Sequence, residues 1–88
     1  MKFSYKSERK VVSNGHEITV PDAIRDTTIK RVIDLLNKGY VLSISQKPTN
    51  SGYCYVFMHK GYETIGITRV KEKEGEILEF FKRLKEIA

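Results

Sequence analysis

Residues 53–59 read Tyr-Cys-Tyr-Val-Phe-Met-His, apolar or aromatic at every position but the last. Alternate side chains of a strand point to opposite faces. This stretch therefore presents Tyr53, Tyr55 and Phe57 on one side and Cys54, Val56 and Met58 on the other. A strand apolar on both faces reads as central in its sheet, with a neighbour on each side. The flanking sequence supplies both neighbours. Residues 40–46, YVLSISQ, put Tyr40, Leu42 and Ile44 on one face and Val41, Ser43 and Ser45 on the other, and residues 64–70, TIGITRV, return as a third strand. The loop 47–52 is built from turn formers and residues 60–63 make a short turn, so the three strands over 40–70 are expected to be antiparallel.

Two helices bracket this sheet. Ile29, Val32, Ile33 and Leu36 fall at i, i+3, i+4 and i+7, one apolar stripe of a helix over 26–38. Asp26 or Thr27 is the expected N-cap and Gly39 the left-handed residue after the last turn. The second helix covers 72–87, its regular part beginning near Gly75, with Ile77, Phe81, Leu84 and Ala88 in one row and Phe80, Leu84 and Ile87 beside it. Its acidic residues gather in the N-terminal half and its basic ones in the C-terminal half, matching the helix dipole.

The first 20 residues read as a hairpin. Asn14-Gly15 suits a two-residue type I′ turn, in which both residues take positive φ. Pairing outward sets Val12 opposite Glu17, Val11 opposite Ile18 and Arg9 opposite Val20, with Phe3, Tyr5, Val11, Ile18 and Val20 sharing a face and a bulge or break placed at Ser7-Glu8. The fold class expected is α+β: a two-layer sandwich in the order β-hairpin–α–β–β–β–α, an antiparallel sheet with both helices on one face. All 88 residues make one domain, with an expected core of Ile29, Val32, Ile33, Leu36, Leu42, Ile44, Val56, Ile77, Phe81 and Leu84.

Several functions are disfavoured by what these residues are. The one cysteine, Cys54, permits no intramolecular disulfide and no all-cysteine zinc site, and it stands in the strand as a small hydrophobe. Cys54 and His59 lie on opposite faces of that strand, which denies them a nucleophile–base pairing. No Gly-rich phosphate loop is present, and two histidines far apart, without a carboxylate cluster, make a weak metal case. The expectation is a non-enzymatic protein with no cofactor and no metal. No apolar run approaches the length of a membrane span, and the N-terminal MKFSYKSERK has no signal-peptide character, so a cytoplasmic setting is expected.

Charge is unevenly placed. Of 16 Lys+Arg and 11 Asp+Glu in the chain, residues 1–10 hold four basic against one acidic, and residues 37–71 hold Lys38, Lys47, Lys60, Arg69 and Lys71 against Glu63 alone. The excess positive charge thus belongs to the N-terminal arm and the three-strand sheet, a distribution that attracts phosphate. Solvated lysines that discourage edge pairing are the plain alternative.

Gly52, Tyr53, Tyr55 and Val56 partly resemble the first ribonucleoprotein strand motif of RNA-recognition motifs, with Ser51 in place of its basic residue and Met58 in place of its last aromatic. Beyond this strand the element order departs from that family, because a strand follows where it has a helix. The order α–β–β–β–α is also that of a double-stranded-RNA-binding domain, but Glu72, Glu74 and Glu76 stand where that fold has lysines.

The aromatic row has three candidate uses: packing under the N-terminal hairpin, a homodimer interface, or a ligand platform. Two functional readings follow. In the first, Tyr53, Tyr55 and Phe57 stack bases while Lys47, Lys60 and Arg69 meet phosphates, making a module for single-stranded nucleic acid or RNA. In the second, the same face or the edge 64–70 meets a protein, as in a regulator or inhibitor encoded by a virus or mobile element, monomeric or homodimeric.

Overall fold

A computed structural model of the chain describes residues 2–45 and 50–88. The elements are β1 (Ser4–Lys6), β2 (Lys10–Ser13), β3 (His16–Thr19), α1 (Asp26–Asn37), β4 (Val41–Ile44), β5 (Tyr53–Lys60), β6 (Glu63–Lys71) and α2 (Gly75–Ile87). They form an α+β fold with two antiparallel three-stranded sheets, β1-β2-β3 and β4-β5-β6.

The N-terminal arm corrects the expected hairpin. Asn14 and Gly15 do turn with φ of 50° and 81°, and Val11 pairs with Ile18 and Val12 with Glu17. The break placed at Ser7-Glu8 is a full reversal, however. Arg9 takes φ 59° and donates its N–H to the Lys6 carbonyl at 3.0 Å, which folds β1 back onto β2 with Tyr5 opposite Val11. The arm is a three-stranded meander, and Val11 is wholly buried between flanking strands.

Helix α1 also differs at its start. Arg25 occupies the N-cap without a side-chain bond, while Asp26 is already helical. The Asp26 carboxylate is engaged elsewhere, accepting from Arg9 Nη1 at 2.6 Å and from the Tyr5 hydroxyl at 2.5 Å. A guanidinium outcompetes backbone N–H groups for a carboxylate because its bond is between full charges. The other end matches expectation. Gly39 has φ 93°, Tyr40 N–H bonds Leu35 O at 3.0 Å and Gly39 N–H bonds Leu36 O at 3.1 Å, the paired bonds of a Schellman cap. Asn37 then grips the Phe3 backbone with two bonds, 2.7 and 2.9 Å, tying β1 to the end of α1.

A single buried cluster joins both sheets and both helices. Phe3, Val11, Ile18 and Val20 of the arm share it with Ile29, Val32 and Leu36 of α1, Leu42, Val56, Met58 and Val70 of the second sheet, and Phe80, Phe81 and Leu84 of α2. Helix α2 packs on β3, β4 and β6, so it bridges the two sheets. Of the expected core, Ile44 and Ile77 are only partly buried and pack at its rim. Strand β6 carries one extra residue, Ile67, where the register shifts between Val56↔Thr68 and Phe57↔Gly66. Such a bulge increases the local twist.

Candidate nucleic-acid interface

The alternation of β5 is resolved in favour of the smaller set. Cys54, Val56 and Met58 are buried at 4%, 1% and 0% exposure, whereas Tyr55 is 44% exposed. Tyr53, Phe57 and His59 are half-buried by their neighbours within the sheet. The arm's apolar face lies in the helix-packed core with Val56 and Met58, not over the tyrosines. The outer face of β4-β5-β6 is therefore not covered by the meander.

Cross-strand register determines what surrounds the rings. Tyr53 stands opposite Lys71, Tyr55 opposite Arg69, Phe57 between Ser43 and Gly66, and His59 between Val41 and Thr64. The cross-strand neighbours of Phe57 and His59 are small or β-branched and uncharged. At the other end the charges gather: the Arg69 guanidinium lies 4.8 Å from the centre of the Tyr53 ring and the Lys71 ammonium 5.9 Å from it. A cation over an exposed aromatic face is worth about 0.5–1 kcal/mol, enough to bias both side chains toward the row. Arg69 also borders a cleft of about 460 Å³ together with Arg25, Thr28, Thr68 and Glu74.

Where β4 ends, Ser45 continues the pairing by side chain as well as backbone. Its N–H donates to Tyr55 O at 2.9 Å, and its Oγ accepts the Tyr55 N–H at 2.7 Å. Tyr55, the most exposed ring of the row, thus sits on backbone held on both sides, by Ser45 and by β6.

The candidate residues named from sequence separate into three groups. Tyr53, Tyr55, Phe57 and Arg69 share the outer face. Lys60 does not join them. Its ammonium donates to the Lys38 carbonyl at 2.7 Å and lies 5.8 Å from the Tyr40 ring, so it closes the C-terminal end of α1. Tyr40 itself donates to Glu63 at 2.7 Å, a bond that raises its pKa above the usual phenol value. Lys47 lies outside the described residues. Lys71 and Ser43 belong to the face and were not singled out. The alternation from Arg69 pointed to Lys71, whereas Ser43 needed the β4–β5 register.

Among the described residues, no three His, Cys, Asp or Glu side chains are grouped to hold a metal ion, and no helix is long and apolar enough to cross a membrane. Compared with known proteins, the chain matches no family model, no curated sequence and no solved structure.

Proposed function

We propose that this protein is a small non-enzymatic module that binds single-stranded nucleic acid across the outer face of β4-β5-β6. The observation that carries the reading is one juxtaposition: a row of rings along β5, left open by the helices and the arm, with Arg69 and Lys71 at one end. Rings offer stacking surfaces for bases of any identity, and cations beside them meet the phosphates. Spacing selects the strandedness. Alternate residues of a strand stand about 6.7 Å apart, roughly twice the 3.4 Å rise of stacked bases in a duplex. Bases lying on successive rings are therefore pulled apart from one another, as an extended single strand allows and a duplex does not. A cytoplasmic setting suits such a ligand.

The test is fluorescence anisotropy with single-stranded DNA and RNA oligonucleotides at about 50 mM salt. Tyr55→Ala should weaken binding by about 1–3 kcal/mol, the usual worth of one stacked base, while leaving the melting temperature close to wild type because the ring is 44% exposed. Arg69→Ala and Lys71→Ala should each lower the slope of log affinity against log salt by about 0.7, one counterion's share on a single strand. Absence of binding to every oligonucleotide sinks the proposal. Val41 and Tyr55, 53% and 44% exposed on this same face, would then point to a protein partner or a second copy, which sedimentation of the free chain distinguishes.

A further inference from the structure

The row on β5 does not stop at Phe57. His59 follows two residues on, on the same face, its ring centre 6.1 Å from that of Phe57 and tilted by 39° to it. The imidazole is not loose. Its Nε2 shares a hydrogen bond of 2.9 Å with Ser43 Oγ, reaching across from β4. The two residues opposite it, Val41 and Thr64, are both exposed, and the ring itself is half-buried. A ring already held by a neighbouring strand loses less freedom on binding than a free one, which is how pre-organisation raises affinity.

We infer that His59 is a fourth base-stacking position, so that the face takes a segment of four nucleotides, one each on Tyr53, Tyr55, Phe57 and His59. This rests on the nucleic-acid reading above and extends it to the length of the ligand. The 6.1 Å step from Phe57 to His59 is close to the roughly 6.7 Å between alternate residues of a strand, and three steps of that length span about 20 Å. The two ends of the segment are held differently. At Tyr53 the ligand meets Arg69 and Lys71, whereas at His59 the flanking residues are Val41, Ser43 and Thr64, without charge. Ser43 is a positioning residue, acting through the orientation of the imidazole.

The experiment is a length series of oligothymidylates from two to eight nucleotides, titrated against the full chain at fixed salt. Wild-type affinity should rise steeply to four nucleotides and then only slowly, as longer strands add overlapping placements. His59→Ala should move that break to three and weaken binding of the four-nucleotide strand about 5- to 150-fold, the worth of one stacked base. Its salt slope should stay at the wild-type value, because no phosphate contact is removed. His59→Phe, which keeps a ring, should restore the break at four and guards against a folding artefact in the alanine variant. Ser43→Ala should keep the break at four with a smaller loss than His59→Ala. Tyr62, wholly exposed at the tip of the β5–β6 turn, is the competing ring at this end of the sheet. If Tyr62→Ala and not His59→Ala shortens the break, or if His59→Ala matches wild type at every length, the fourth position is wrong although the nucleic-acid reading stands. A wild-type chain that binds no length overturns both.

Discussion

Arg9 ties the arm to the start of α1 through three side-chain hydrogen bonds. Its backbone sits in the left-handed region at φ 59°, which costs a non-glycine residue about 1–2 kcal/mol. The guanidinium offsets this by donating to Pro21 O at 2.9 Å, Ile24 O at 2.6 Å and Asp26 Oδ1 at 2.6 Å. It thereby joins the β1–β2 turn to the entry of α1. Arg9→Ala should lower the unfolding free energy by about 1–3 kcal/mol through the two carbonyl bonds, measured in urea. Arg9→Gly should lose about 1 kcal/mol less, since glycine relaxes the turn. Asp26 and Tyr5 add a pH signature. The Tyr5 hydrogen bond, and behind it the charges of Arg9 and Lys30, hold the Asp26 carboxyl below its ordinary pKa. Its stabilising contribution is complete above about pH 3.9, the unfolded value, and disappears as pH falls through the lower folded one. Burial first, and then the bond to Asp26, raises the Tyr5 pKa. That contribution is complete below about pH 10 and disappears as pH rises through the folded value. Tyr5→Phe should therefore flatten both the acid and the alkaline limbs of stability against pH. Unchanged limbs would mean that the Tyr5–Asp26 bond does not persist in solution.

At the scale of elements, helices and strands were legible wherever a local rule was strong. Asn14-Gly15 set the β2–β3 register, Gly39 stopped α1 and Gly75 began α2. Where two partners compete for one group, local rules fail. Asp26 read as a cap because a carboxylate next to a helix start usually is one, yet it belongs to Arg9 seventeen residues earlier in the chain. Burial of the apolar stripes carries the stability of the helices. Leu36→Ala in α1 should cost about 2–5 kcal/mol and Phe81→Ala in α2 about 3–5 kcal/mol by chemical denaturation. Phe81 is wholly buried and stands edge-on to Phe80 with centroids 5.3 Å apart. Losses below about 0.5 kcal/mol at both sites would place those faces outside the core.

Across the whole molecule, both sheets drain into one buried cluster, with α2 against strands of each. One core implies one cooperative unit. Far-ultraviolet circular dichroism and tyrosine fluorescence should give coincident urea transitions, and an early separate loss of the arm would show that the meander folds independently. The sequence by itself determined the class of the fold, the two helices and the division of β5 into a small apolar face and an aromatic one, because periodicity and turn chemistry are local properties of the chain. It also located the excess positive charge. It left open what lies over the tyrosines, since an apolar arm and an aromatic face are equally good partners as far as hydrophobicity goes. Tertiary structure decided that question through geometry. The Asn37 grip on Phe3 and the Arg9 links to Pro21, Ile24 and Asp26 swing the arm to the helix side. There its apolar face completes the core, and the rings on β5 remain open.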